Sequence, residues 1–414
     1  MAAKLSKDSR PAWPHRAVVT AGMPYGNKNL HFGHVGGVFV PADFFARFLR
    51  DRLGERNVIF VSGTDCYGSP IMEGHRKLRE SCGTDCTLTD YVQANHDLQQ
   101  SAIDGFEIEL DLFGGSALPP AAPIHNRTTA EIIERLSGRG VLRKRATKQF
   151  YDAKAGQFLN GRQVVGRCPI QGCKSEKAYA DECDLGHQYE PEELIAPKSA
   201  LTGETPELRP VDNIYFDLPA YLDFLKDYTA KLEADETVRP VVSKTMEEWL
   251  LPAQIYIQNK FREAFDAVED RLPAHTVTEP EGTKSSFTVT FPSWEERDAA
   301  HEVLSAGGVR FRSGKALVPF RITGNIEWGV PVPDACGCSG LTCWVWPESL
   351  WAPISFTRTV LAEAERAGCA DRYASLDWHD WWCSEDAHAY QFIGQDNIYF
   401  YGIAQTALWE ALGC

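Results

Sequence analysis

The hydrophobic pattern of the first sixty residues predicts a strand, a loop, a helix and a second strand. Residues 17–21 form a short apolar, β-rich run, and residues 22–29 are rich in Gly, Pro and Asn. Apolar residues at near-helical spacing predict a helix over residues 33–53, and the apolar run 57–63 predicts a buried strand. This order makes a βαβ unit, typical of a doubly wound parallel sheet that binds ligands at the carboxyl ends of its strands.

Further along the chain the pattern changes, which indicates insertions into an α/β domain. Residues 151–197 are turn-rich, residues 286–321 predict a separate α+β piece, and an apolar run at 392–394 precedes a helical pattern at 398–412. The predicted domains are the first half of a split, Rossmann-type nucleotide-binding domain at 1–128, a connective insertion with a zinc knuckle at 129–250, an additional α+β insertion at 251–324, and the second half of the nucleotide-binding domain at 325–414.

Composition and charge narrow the class of protein. The 414 residues include 42 Lys and Arg against 57 Asp and Glu, a net charge of −15, which argues against a protein that mainly grips DNA. The sequence has neither an apolar run of 18 residues nor a secretory signal, so we expect a cytoplasmic protein without a membrane or DNA partner. A basic cluster at residues 139–148 predicts a solvated helix face, with a local patch that contacts a nucleic acid as the alternative.

Four potential metal ligands lie within twenty residues of the turn-rich segment. They are Cys168, Cys173, Cys183 and His187. Three thiolates and an imidazole fit a closed tetrahedral Zn²⁺ site, which can hold together a knuckle too small for its own core. Free thiols are the alternative interpretation.

The segment His31-Phe32-Gly33-His34 follows the first strand and loop, at the predicted first turn of the helix. Unpaired backbone N–H groups and the positive end of the helix dipole favour phosphate there. Two imidazoles three residues apart can donate hydrogen bonds to phosphoryl oxygens, and Gly33 between them lets a planar base approach the backbone. The segment predicts nucleotide binding, with two unrelated helix histidines as the alternative.

Three blocks in order, residues 20–26, 31–34 and 62–71, resemble the opening of the class I aminoacyl-tRNA synthetases, and specifically of the methionyl-tRNA synthetase family. The resemblance continues at 328–333 and 392–396 and covers most of the chain apart from about 254–320. It implies the α/β nucleotidyl-transferase fold with a zinc-bearing insertion. It also implies ATP-dependent activation of an amino acid, methionine first, to an aminoacyl adenylate and transfer to tRNA, with ATP, Mg²⁺ and Zn²⁺ as cofactors.

The resemblance also implies site residues. His31 and His34 would stabilise the phosphates, Asp65 would bind the substrate ammonium and Asp396 the ribose hydroxyls; a helix N-cap is the alternative for both aspartates. The implied set is His31 and His34 for catalysis; Gly33, Gly394 and Asp396 for ATP; and Gly22, Met23, Tyr25, Asp65, Trp346, Ala352, Pro353, Phe356 and Tyr401 for the amino acid. The family module commonly uses four cysteines for zinc, where this chain has His187 as the fourth ligand.

The chain departs from the family at its amino-acid pocket. Tyr401 and Gln405 stand where the family has histidine and tryptophan, and Phe356 stands where it has tyrosine. No lysine follows Lys315, so we expect the chain to stop before the lysine loop and the anticodon-binding domain. Two alternatives therefore stay open: a synthetase-like paralogue that adenylates another amino acid or serves another acceptor, and a non-catalytic protein that binds nucleotide or tRNA.

Overall fold

A computed structural model of the 414-residue chain describes residues 13–159, 161–169, 173, 175, 177–180, 183, 191–236, 238–282, 285–333, 337 and 340–414. Its α-helices are α1 (Phe32–His34), α2 (Val40–Leu53), α3 (Ser69–Cys82), α4 (Leu88–Gly105), α5 (Ala121–Gly138), α6 (Leu222–Ala234), α7 (Pro240–Glu247), α8 (Arg262–Asp266), α9 (Trp294–Ala306), α10 (Val345–Arg366), α11 (His379–Trp382) and α12 (Thr406–Leu412). Its strands are β1 (Arg16–Ala21), β2 (Val58–Thr64), β3 (Leu112–Gly115), β4 (Leu142–Asp152), β5 (Gln157–Phe158), β6 (Val164–Arg167), β7 (Ile195–Ser199), β8 (Glu207–Phe216), β9 (Ala253–Gln258), β10 (Thr276–Thr278), β11 (Ser286–Phe291), β12 (Phe311–Ser313), β13 (Phe320–Arg321), β14 (Thr323–Gly324), β15 (Thr342–Cys343) and β16 (Ala387–Phe392).

A parallel sheet with the strand order β16–β1–β2–β3 confirms the predicted doubly wound fold. From β1 the chain moves outward on one side to β2 and β3, and β16 returns to the other side of β1. The strand order therefore reverses between β1 and β16, which is where ligands bind in open α/β sheets. Ala21 is in register with Phe392, so both strands end together at this point.

Helices cover both faces of the parallel sheet because alternate strand residues point to opposite sides. Ala17, Val19 and Ala21 pack with α2 in one buried cluster. Val18 of the same strand packs on the other side with α10. The two clusters make the sheet a rigid support for the loops at its carboxyl edge.

The predicted helix over residues 33–53 is interrupted in the structure. After α1, a π-helical turn at Val35–Phe39 precedes α2, and the N–H of Val40 donates to the carbonyl of Val35. Gly36 and Gly37 lie in this turn, where glycine lowers the preference for a regular α-helix. The histidine segment is therefore a separate short turn.

The basic cluster at residues 139–148 lies mainly on β4, so the predicted helix face is wrong. From Lys144 to Lys148 exposed and less exposed residues alternate along the strand, and Lys144 forms an ion pair with Asp212 at 2.7 Å. Charged residues occupy both exposed and half-buried positions of β4, so hydrophobicity did not reveal the period of two that is typical of a strand. Among the helices of the described residues, none is long and apolar enough to cross a membrane.

The chain contains two compact units. The first comprises residues 1–215, 321–394 and 412–414, and the second comprises residues 216–320 and 395–411. The second unit has its own antiparallel sheet of order β10–β11–β9–β12 and a core of its own beneath α8 and α9. The predicted boundaries at residues 128, 250 and 324 stay predictions.

Candidate functional site

His31 and His34 form a reciprocal cap at the start of α1. His31 Nδ1 accepts a hydrogen bond from the Gly33 N–H at 3.1 Å, and His34 Nδ1 accepts from the His31 N–H at 3.2 Å. The two rings stack with their centroids 3.8 Å apart. A Cβ atom at Gly33 would lie 3.0 Å from the His31 ring, so glycine at this position leaves room for the cap.

This cap determines which ring nitrogen of each histidine carries the proton. A nitrogen that accepts from a backbone N–H has no proton, so the ring proton of each imidazole lies at Nε2. Burial, and then the neighbouring His31, lower the pKa of His34, which keeps this ring neutral. The stacked rings therefore offer two Nε2–H donors close together.

The backbone N–H groups of this turn were expected to be unpaired, but in the structure they have hydrogen-bond partners. The Gly33 N–H is bound by His31 Nδ1, and the N–H groups of His34 and Val35 donate to the His31 carbonyl. Three amides expected to face a phosphate are thus occupied. The hydrogen-bond donors at this position are imidazoles.

The loop between β1 and the histidine turn is hydrogen-bonded to the residue that follows β2. The Asp65 N–H donates to the Pro24 carbonyl, and the Gly26 N–H donates to the Asp65 carbonyl, both at 2.8 Å. Gln99 is fully buried and donates to the carbonyls of Tyr25 and Lys28. These bonds place Tyr25 beside Asp65 and hold the loop at the carboxyl edge of the sheet.

Asp65 is buried and receives its main side-chain contact from α10. Ser349 Oγ donates to Asp65 Oδ2 at 3.1 Å, and the Tyr67 N–H reaches Asp65 Oδ1 at 3.5 Å. Burial raises the pKa of Asp65 well above its usual value. A bound cation at this carboxyl would lower that pKa again. No helix begins at Asp65, because the next helix, α3, begins at Ser69.

Next to Ser349, Glu348 and His125 form a buried pair. Glu348 Oε2 lies 2.6 Å from His125 Nε2, and His125 Nδ1 lies 2.9 Å from Ser355 Oγ. Both side chains are fully buried, and Glu348 Oε1 has no hydrogen-bond partner among the described residues. Burial raises the pKa of Glu348 and lowers that of His125 to about 3. We infer a neutral pair in which protonated Glu348 donates to His125 Nε2.

The predicted pocket residues of α10 differ in their surroundings. Ala352 and Phe356 are fully buried in the core shared with β2, and Met23 packs against the same cluster. A Cβ atom at Gly63 or Gly114 would lie 2.6 or 2.8 Å from the Phe356 ring, so this ring occupies the space that two glycines leave open. The remaining predicted residues of α10 are Trp346, which is half-buried, and Pro353, which is buried.

The other predicted residues follow the ends of β1 and β16 or lie in the second unit. The Gly22 N–H donates to the Phe392 carbonyl at 2.8 Å, which joins the two strand ends, and Gly394 follows β16 by two residues. Asp396 is exposed on a 3₁₀ turn of the second unit. Tyr401 lies in the π-helical segment Tyr399–Gln405 of the same unit. The roles of these residues stay predictions.

Three of the four predicted metal ligands lie together. The Sγ atoms of Cys168, Cys173 and Cys183 are all within 4.8 Å of one another, and those of Cys173 and Cys183 are 4.0 Å apart. Zn–S bonds of about 2.3 Å in a tetrahedron place sulfurs about 3.8 Å apart, so the spacing fits a zinc ion. The Ser175 N–H points to Cys173 Sγ at 3.4 Å, which suits a thiolate. His187 lies outside the described residues.

Sequence reasoning missed the buried polar residues of the two helices near Asp65, of which Ser349 contacts it. His125, Glu348, Ser349 and Ser355 come from two helices, α5 and α10, that are more than 200 residues apart in the chain. The sequence feature that could have indicated them is the pair of polar residues Glu348 and Ser349 within the otherwise apolar first turns of α10. A buried carboxylate in such a helix indicates a specific partner.

Comparison with known proteins gives a consistent result. A family model described as tRNA synthetases class I (M) matches residues 17–265 and 297–414. The chain is 28% identical over 399 residues to a methionine–tRNA ligase of Porphyromonas gingivalis, which covers 96% of this chain and 45% of the relative. It is 29% identical over 401 residues to the corresponding ligase of Flavobacterium psychrophilum, with 97% and 46% covered.

The chain thus spans about half the length of the curated relatives that it matches. Among solved structures it is similar to Mycobacterium tuberculosis methionyl-tRNA synthetase in complex with methionyl-adenylate, with a TM-score of 0.48 and 18% identity. That comparison covers 96% of this chain and 54% of the solved chain.

Proposed function

The chain belongs to the class I tRNA synthetases of the M family, and from this premise we propose that it activates an amino acid with ATP to form an aminoacyl adenylate. Methionine is the first candidate, because the similar ligases of Porphyromonas gingivalis and Flavobacterium psychrophilum carry that name. Transfer of the acyl group to tRNA is the second step of the proposal.

One observation carries the proposal: the stacked, capped histidine pair at the carboxyl edge of the parallel sheet. Attack of a carboxylate on the α-phosphate requires alignment and stabilisation of charge on the phosphoryl oxygens. The Nε2–H groups of His31 and His34 are donors whose tautomer the backbone already determines. Donors that need no reorganisation during the reaction are the effective ones.

The remaining roles follow from position and chemistry. Asp65, beside Tyr25, would bind the substrate ammonium, and the cation would ionise this buried carboxyl. Gly33 and Gly394 would contact the adenosine, and Asp396 would accept hydrogen bonds from the ribose hydroxyls.

Two metals belong to the proposal. Mg²⁺ bound with ATP would neutralise phosphate charge. Cys168, Cys173 and Cys183 would hold a structural zinc ion that stabilises the small module around them.

ATP–pyrophosphate exchange, measured with each of the twenty amino acids, tests the activity. We expect exchange with methionine and a loss of about 100-fold in His31→Asn. Asparagine is a good N-cap that can still accept from the Gly33 N–H, but it removes the imidazole donor. His388→Asn is the matched control, because His388 is exposed on β16 of the same sheet, toward the opposite end. Exchange that is equal in His31→Asn and the wild type would contradict the role of the pair.

A second candidate is adenylation of an amino acid other than methionine. The favouring observation is that Gln405, at the position where the family has tryptophan, is a buried polar residue, whereas a thioether side chain is bound best by polarisable aromatic contacts. Exchange with another amino acid, and none with methionine, would establish this candidate. ATP binding without any exchange would refute both.

A further inference from the structure

The α+β insertion of the second unit has a defined topology. In chain order it contains β9, α8, β10, β11, α9 and β12, and its sheet has the order β10–β11–β9–β12 with antiparallel neighbours. This is the split βαβ arrangement, in which two helices cover one face of a four-stranded sheet. The family model does not match residues 266–296 of this insertion. The chemistry that the family shares therefore assigns these residues no role.

The two faces of this sheet differ in character. Ile255 and Ile257 of β9 point into the core under α8 and α9, together with Phe287 and Val289 of β11. The alternate residues, Tyr256 and Thr288 among them, point to the opposite face. A groove of about 660 Å³ is lined by Tyr256, Lys260, Thr288, Arg310 and Arg312, among others, and by Phe261, which also packs against the core.

The groove combines cations with aromatic rings. The Arg312 guanidinium lies 5.0 Å from the Tyr256 ring centroid, and the Lys260 ammonium lies 5.2 Å from that of Phe261. The Arg310 guanidinium lies 5.8 Å from the Phe261 ring centroid. The three cations are exposed, and none forms an ion pair with any carboxylate in the part of the chain that the structure describes.

This concentration of positive charge is local. Residues 253–320 contain ten Asp and Glu against eight Lys and Arg, and the whole chain has a net charge of −15. The described residues that line the groove nevertheless include three cations and no carboxylate. An anionic ligand fits this groove, and the Tyr256 ring fits a ligand that also carries a planar group.

We propose that this sheet face binds single-stranded RNA, with a base stacked on Tyr256 and phosphates held by Lys260, Arg310 and Arg312. Unpaired bases expose the π-faces that aromatic side chains on an open sheet can stack on, whereas a duplex hides them. Arginine and lysine beside the rings supply charge for the backbone. This binding uses none of the residues proposed for adenylation.

Fluorescence anisotropy of a labelled, mixed-sequence 12-nucleotide RNA with the intact chain tests the proposal. We expect Tyr256→Ala to weaken binding about tenfold and Tyr256→Phe, which keeps the ring, to bind like the wild type. Arg310→Ala combined with Arg312→Ala should reduce the slope of log K against log salt by about 1.4, since each phosphate contact contributes about 0.7. A hairpin duplex of equal length should bind more weakly than the single strand.

A matched control removes the same charge elsewhere. Arg143→Ala combined with Lys144→Ala, on β4, should leave the affinity within twofold. Equal losses in the two double variants, equal binding of duplex and single strand, or no RNA binding by the wild type would overturn the proposal, as would groove-dependent binding of polyglutamate in place of RNA. Circular dichroism confirms that each variant is folded. Pyrophosphate exchange should be unchanged in all of them, which separates this test from that of the proposed activity.

Discussion

Replacing the buried Glu348 by glutamine should stabilise the protein increasingly as the pH rises. Glu348 ionises in the unfolded chain above about pH 4.5, whereas burial keeps it protonated in the folded protein to a much higher pH. Between these two pKa values the folded state binds one more proton, so the wild-type free energy of unfolding falls with pH. Glutamine does not titrate, so the variant does not lose this stability.

The expected magnitude follows from the single proton. Each pH unit in this range lowers the wild-type free energy of unfolding by about 1.4 kcal/mol relative to Glu348→Gln, or about 2.7 kcal/mol over two units. Glutamine has nearly the size of glutamate, and its amide can donate to His125 Nε2, so we expect a difference of under about 1 kcal/mol near pH 4.5.

Urea denaturation of both proteins at intervals from pH 4.5 to 7.5 measures this difference. The matched control is Glu134→Gln, the same chemical change at an exposed position of α5, the helix that carries His125. A difference curve that is flat with pH, or a variant less stable than the wild type by about 3–5 kcal/mol throughout, would refute the neutral pair. That result would indicate a glutamate–imidazolium ion pair, which the substitution breaks.

Further predictions concern His125, the glycine pair of the sheet and the cysteine cluster. Because the folded pKa of His125 is about 3 against 6.5 when unfolded, its contribution to stability should fall by about 1.4 kcal/mol per pH unit as the pH drops from 6.5 toward 3. The difference in the free energy of unfolding between the wild type and His125→Gln, measured by urea denaturation, isolates this contribution. A difference that does not change with pH would contradict the prediction. Gly63→Ala should lower the free energy of unfolding by at least about 1–3 kcal/mol, because the added Cβ would lie 2.4 Å from the Gly114 carbonyl oxygen. Gly105→Ala is the control: no atom lies within 4 Å of its Cβ, so the same urea measurement should show no loss of stability. Cys173→Ser should lower bound zinc to well under one ion per chain by metal analysis; an unchanged content would exclude this cysteine as a ligand.

The sequence by itself determined the local elements and the candidate residues of the first half of the sheet. Apolar runs gave β1 and β2, because buried parallel strands need continuous hydrophobic residues. The order of the motifs identified the family, which the family match over 17–265 and 297–414 confirmed. The spacing of Cys168, Cys173 and Cys183 predicted a cluster that the structure brings together.

Only the tertiary structure decided which polar groups meet. The contact of Asp65 with Ser349 and the pair of His125 with Glu348 join helices and loops distant in sequence, and such pairings leave no periodic signal. The basic cluster near Lys144 was wrongly predicted as a helix face, because burial, and not charge, shows the strand period.

The groove of the insertion is another case of this kind. Its cations and rings are scattered over residues 256–312, and only the antiparallel pairing of β12 with β9 places Arg312 opposite Tyr256. A sequence specifies each strand through local pattern, whereas the side chains that share a face depend on strand order and register. The fold was therefore accessible from the sequence, and the chemistry of its surfaces required the three-dimensional structure.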